Sequence, residues 1–143
     1  MISLSVPAAL KYRDVATRVV SAACKLVGAG APSSPPGTLS RSDFHEHVIS
    51  AFGEAFNNVV IHAYKGSDDA SGDLVTIEVE VLPAGIEIRL LDHGASFDHS
   101  LIPEPDLDGL PESGMGLFIM RSFMDEVVYE PGSPNVLRIA KCL

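Results

Sequence analysis

The stretch Phe52 to Tyr64 constrains this chain most, because it reads as a helix with one apolar side and one polar line. Phe52, Ala55, Phe56, Val59 and Ala63 recur at helical spacing, while Glu54, Asn58 and His62 are four residues apart and fall on a single face. A carboxylate, an amide and an imidazole in line on a core helix must face water or a ligand. The apolar side needs a sheet or another helix to cover it.

The chain supplies both. Val75, Ile77, Val79 and Val81 alternate with Thr76, Glu78 and Glu80, and Ile86, Ile88 and Leu90 alternate with Glu87 and Arg89. Period-2 alternation predicts two half-buried strands, joined by a tight turn at Pro83-Ala84-Gly85 into an antiparallel hairpin. Residues 2 to 6 predict a short edge strand and Val136 to Ala140 a last strand. A first helix is expected over Leu10 to Val27, stopped by Gly28 and Gly30. The second runs from about Asp43 to Tyr64, capped by Ser40 or Ser42. Ala31 to Leu39, with Pro32, Pro35 and Pro36, is a loop, and Gly66 to Gly72 an exposed turn. A third helical stripe comprises Leu117, Phe118, Met120, Met124 and Val127. The expected fold is α/β: a two-layer sandwich with three helices on one face of a mostly antiparallel mixed sheet of four or five strands.

At 143 residues this is one domain. A formal net charge of −9 excludes a general nucleic-acid or anionic-membrane surface and suits a basic partner better. No apolar stretch approaches the roughly 20 residues that span a bilayer, and there is no signal-peptide pattern, so a soluble, intracellular protein is expected. Cys24 and Cys142 lie far apart with no metal or redox spacing and read as reduced and structural. The five histidines form no metal motif, and oxygen-ligated Mg²⁺ is the better expectation than a transition metal.

Two glycine-bearing segments follow the polar helix. Asp92-His93-Gly94-Ala95-Ser96-Phe97-Asp98 ends a strand, and Gly114-Met115-Gly116-Leu117 opens the third helical pattern. Between them the chain collects Pro103, Pro105 and Pro111 with Glu104, Asp106, Asp108 and Glu112, an acidic lid over about residues 99 to 113. Each glycine signal is weak alone. In the order Glu-x-x-x-Asn, Asp-x-Gly-x-x-Phe-Asp, Gly-x-Gly-Leu they resemble the boxes of the Bergerat (GHKL) ATP-binding fold shared by gyrases, chaperones and histidine kinases. The wording Glu-Ala-Phe-Asn-Asn-Val-Val-Ile-His-Ala-Tyr, the short lid and Gly-Met-Gly-Leu-Phe-Ile-Met-Arg-Ser-Phe-Met-Asp-Glu-Val are similar to the anti-sigma-factor serine/threonine kinases of bacterial partner-switching systems. The resemblance covers roughly residues 5 to 143.

That resemblance implies a cytoplasmic protein that binds ATP and Mg²⁺ and phosphorylates a STAS-domain anti-sigma-factor antagonist. It further implies sequestration of a sigma factor and a homodimer. Glu54 would be the general base, one helical turn before Asn58, the Mg²⁺ ligand. Asp92 would accept from the exocyclic amine of adenine, which guanine lacks at that position, and Gly94 would let the base approach the backbone. Gly114, Gly116 and Leu117 would form the lid-end phosphate site at a helix start. Apart from the resemblance, His62 reads as a structural or lid-facing imidazole on the nucleotide side and Asp98 as a residue that would help seat the lid. This chain departs from the family at Gly132-Ser133-Pro134-Asn135, where a Gly-Thr-Thr-like turn is common, and at Ala95 and Ser96, often Gly or basic. Lys141 is a late cation that could reach a phosphate. The rival reading is a non-catalytic, nucleotide-gated binding module that sequesters a sigma factor or other regulator. Hydrolysis of ATP without a protein substrate is the third, and a histidine-kinase catalytic domain is disfavoured, for want of room for its helical hairpin.

Overall fold

In a computed structural model of the chain, residues 1–28, 39–63, 72–96 and 115–143 are described. Five strands and three helices follow in the order β1 (Ile2–Pro7), α1 (Arg13–Cys24), α2 (Arg41–Asn58), β2 (Leu74–Leu82), β3 (Gly85–Asp92), α3 (Met115–Phe123), β4 (Glu126–Glu130) and β5 (Asn135–Cys142). A 3₁₀ turn at Leu10–Tyr12 precedes α1, and a π-helical turn at Val59–Ala63 continues α2. The sheet order is β1-β2-β3-β5-β4.

Among the described residues every pairing is antiparallel, so the sheet they form is not mixed. The reason is in the connections. β2 and β3 are joined by a tight hairpin, and α3 with β4 brings the chain back to lay β5 against β3, opposite in direction. Val75, Ile77, Val79, Ile86, Ile88, Leu90, Leu137 and Ile139 are buried on one side. Phe44, Phe52 and Phe56 of α2 fill the space above them. Burying a side chain of that size stabilises by about 1.5–3 kcal/mol, so this helix-on-sheet layer is the main source of stability.

The other face of the sheet is wet and charged. Arg89 pairs with Glu78 at 3.2 Å and Glu80 at 3.6 Å on β2, and Arg138 with Glu87 at 3.0 Å on β3 and Glu126 at 2.7 Å on β4. Such half-exposed pairs contribute at most about 1 kcal/mol each, and their main effect is on register.

Three boundaries differ from expectation. The first helix is shorter than Leu10 to Val27: its last turn tightens into 3₁₀-type bonds from Lys25, Leu26 and Val27. Gly28 at φ +66° then turns the chain away. Arg41 donates to the Val27 carbonyl at 2.7 Å, so α2 starts tied to the end of α1. Ser40 is the cap, accepting from the Asp43 N–H at 3.1 Å, and α2 begins two residues earlier than expected. Val127 belongs to β4, a strand that helical periodicity had absorbed. The Asp125 N–H donates to Ala140 O at 2.9 Å and pulls the chain onto the sheet. No helix among the described residues is long and apolar enough to cross a membrane.

Candidate functional site

The polar line of α2 is where a ligand would need it. Glu54 and Asn58 are half-buried while Ala55, Phe56 and Val59 are fully buried, so the helix presents its carboxylate and amide on the side that the core leaves open. The first turn of α3 closes over them. A Cβ placed on Gly116 would lie 2.9 Å from Glu54 Oε2 and 3.4 Å from Asn58 Oδ1, so a side chain there would push the Glu54 carboxylate aside. The far end of α3 is fixed independently. Phe123 stacks on His47 of α2 with ring centroids 4.5 Å apart, and Lys141 Nζ donates to Phe123 O.

His62 lies in the π-helical turn that follows Asn58, and its imidazole is exposed. The π turn packs against β3, which brings this end of α2 over the strand that ends at Asp92.

Asp92 is buried, 1% exposed, at the last position of β3. Its Oδ1 accepts from the Gly94 N–H at 2.9 Å, an Asx turn that reverses the chain, and from Asn135 Nδ2 at 2.9 Å. Asn135 is the buried partner of Asp92 that sequence reasoning missed. The sequence did carry a signal, since it ends the four-residue turn that departs from the family pattern. Ser96, another departure, donates its hydroxyl to Asn135 Oδ1 at 2.5 Å.

Other expected residues fare differently. Leu117 is 5% exposed and belongs to the core, so its side chain anchors α3 and is not presented to a phosphate. Lys141 lies at the C-terminal end of α3, where it caps a carbonyl. Gly116 is near the helix's other end, away from Lys141. Asp98, Gly114 and the lid over residues 99 to 113 lie outside the described residues. A groove of about 590 Å³, lined among others by Pro83, Gly85, Glu87, Arg138 and Cys142, sits at the opposite end of β3 from Asp92.

Among the described residues no three His, Cys, Asp or Glu side chains gather as a metal site. The oxygens that lie beside Gly116, Asn58 Oδ1 and Glu54 Oε2, are hard donors. They fit a cation such as Mg²⁺, which takes one or two protein ligands and leaves the rest to water and phosphate.

The chain was compared with known proteins. A family model described as the histidine kinase-like ATPase domain matches residues 7–141. The chain is 36% identical over 106 residues to the serine-protein kinase RsbW of Bacillus pumilus, a match covering 68% of this chain and 65% of that protein. It is 33% identical over 141 residues to the protein of the same name from Staphylococcus aureus, covering 92% and 80%. The histidine kinase domain of a blue-light activated histidine kinase from Erythrobacter litoralis EL346 shares the fold at a TM-score of 0.53 and 19% identity. That match covers 96% of this chain and 62% of the solved one. A helix carrying Glu54 and Asn58, a strand ending at Asp92 and a glycine-led third helix, together with these matches, make the chain a member of the histidine kinase-like ATPase domain family, related to serine-protein kinases named RsbW.

Proposed function

We propose that this chain is an ATP-dependent serine/threonine protein kinase that acts as an anti-sigma factor and phosphorylates a STAS-domain antagonist. The observation that carries the reading is the meeting of Glu54, Asn58 and Gly116 where two helices touch, beside the strand that ends at Asp92. On this reading the protein works in the cytoplasm, as a homodimer, and touches no nucleic acid.

The chemistry follows from the residues. Asp92 accepts from the adenine amine, and Gly94 leaves room for the ring. Asn58 Oδ1 is the protein ligand for Mg²⁺, which when bound offsets the phosphate charge. Glu54 takes the proton from the acceptor hydroxyl as its oxygen bonds to the γ-phosphorus and the β–γ bridge breaks to leave ADP. Gly116 keeps a side chain out of the space in front of Glu54, and Gly114 and Asp98 act at the two ends of the lid.

One observation supports a second reading. Residues 1–42 hold five of the ten Lys and Arg residues and only one of the nineteen acidic ones. Arg13, Val15 and Arg18 on α1, with Lys25 and Leu26 just past its end, are exposed; Arg18 is paired with Asp14 at 3.1 Å and Arg13 donates to Asn57 Oδ1 at 3.2 Å. The net charge suggested a basic partner, whereas this basic N-terminal segment suits an acidic one. It would serve partner holding with or without phosphotransfer, as in a nucleotide-gated binding module.

The deciding experiment is phosphotransfer from ATP and Mg²⁺ to a co-encoded STAS-domain protein, read by mass spectrometry. Phosphoserine or phosphothreonine is expected with the wild-type chain and absent with Asn58→Ala and Glu54→Gln. Tight ATP binding without transfer would replace the kinase by the binding module.

A further inference from the structure

Asn135 opens β5 directly opposite Asp92 in the β3–β5 register, and the two residues are 0% and 1% exposed. A primary amide has two N–H donors and an oxygen that accepts twice. All four capacities are occupied here. Nδ2 donates to Asp92 Oδ1 at 2.9 Å and to Gly94 O at 3.0 Å. Oδ1 accepts from the Gly132 N–H at 2.9 Å and the Ser96 hydroxyl at 2.5 Å. Asn135 has nothing left with which to touch a ligand.

Asp92 is different. Its Oδ1 takes two donors, Asn135 Nδ2 and the Gly94 N–H, while Oδ2 has no hydrogen-bond partner among the described residues. The geometry points to Asn135 as a positioning residue for base selectivity, which fixes the plane of the Asp92 carboxylate and reserves Oδ2 for one donor on a nucleobase. This rests on the reading of Asp92 as the adenine contact. A fixed carboxylate oxygen can only accept, so it meets an amino group at purine position 6 and repels a carbonyl there. A carboxylate free to turn can move its oxygens away from that carbonyl, and the discrimination weakens. A hydroxyl at this turn, as relatives commonly carry, has at most one donor and leaves acceptor capacity for water or base. Asn135 closes the network with Ser96 and Gly132 instead.

The test compares ATP with ITP, which carries a carbonyl where adenine has its amine. Both displace a fluorescent ATP analogue from the chain in the presence of Mg²⁺, with folding checked by circular dichroism. A hydrogen bond to a charged partner is worth enough for the wild type to prefer ATP by at least about tenfold. Asn135→Ala should cut that ratio by about tenfold, mostly by weakening ATP, and Asn135→Thr, which keeps one donor, should restore it to within about threefold of wild type. If Asn135→Ala weakens ATP and ITP equally, the residue is merely structural and the inference fails. If the wild type itself shows no preference, the reading of Asp92 falls first and takes this one with it. Should Asn135→Ala not fold, Ser96→Ala carries the test: a ratio lowered about threefold supports the inference and an unchanged ratio overturns it.

Discussion

Replacing Gly116 by alanine should separate turnover from stability. The added Cβ would sit 2.9 Å from Glu54 Oε2, 3.4 Å from Asn58 Oδ1 and 3.7 Å from Glu54 Cβ. The shortest of these is repulsive, and the atom that must give way is the tip of a flexible side chain. Turning it off its preferred rotamer costs about 0.5–1.5 kcal/mol. Against this, alanine is favoured over glycine within a helix by about 0.5–1 kcal/mol. The two terms nearly cancel, so the unfolding midpoint should move by less than about 4 °C. Turnover has no such offset. A general base contributes about 10²–10⁴-fold, and a shift of about 1 Å from hydrogen-bond reach can forfeit 10²-fold. Single-turnover phosphotransfer to the STAS-domain protein should therefore fall at least about 100-fold in a folded variant. A Gly116→Ala protein that transfers phosphate at the wild-type rate would refute the argument, because a displaced Glu54 could not then be the base.

Gly85→Ala should do the opposite. There the added Cβ would meet Lys141 O at 2.6 Å and Cys142 Cα at 3.3 Å, backbone atoms that can yield only by distorting the sheet. A loss of about 1–3 kcal/mol in urea unfolding is expected, with turnover per folded molecule unchanged, since the clash is at the end of β3 remote from Asp92. The Cys24 thiol gives a pH signature. Burial pushes it from 9.0 up to about 11, so in the folded protein it holds a proton that the unfolded chain releases earlier. That stability is fully present below about pH 9 and is lost as pH rises through about 11, amounting to about 2–3 kcal/mol. Urea unfolding of wild type and Cys24→Ala at pH 8 and pH 11 checks it: the wild type should lose about that much more, and parallel losses would show that the thiol is not the cause.

What could be read from the sequence was whatever burial writes as a period. The Val75–Leu90 hairpin has one packed and one wet face, and α2 has one buried and one half-buried side, so alternation and helical spacing exposed both. β4 has five residues with no fully buried position, which leaves nothing periodic to detect, and Val127 was taken into a helix. The π turn at Val59–Ala63, which packs against β3, is not announced by any spacing of its residues. Leu117 was placed at the phosphate site by its motif, whereas its neighbours in space make its side chain part of the core; Lys141, which the sequence left open, caps a carbonyl at the end of α3.

The two halves of the candidate site are held by different physics, and that division is why one half was the more legible. Glu54 and Asn58 are related by helix geometry within one element, so their spacing alone brings them together. Asp92 and Asn135 are 43 residues apart and meet only because the β3–β5 register sets them opposite one another. A one-residue slip of that register would turn Asn135 to the wet face and leave a buried carboxylate oxygen with one donor fewer. The alternating core residues Ile88, Leu90, Leu137 and Ile139, which oppose that slip by keeping their buried side, therefore hold the Asp92–Asn135 hydrogen bond in place without touching it. On the proposed reading, base selectivity is thus a property of sheet packing, whereas proton transfer depends on how closely α3 approaches α2 at Gly116.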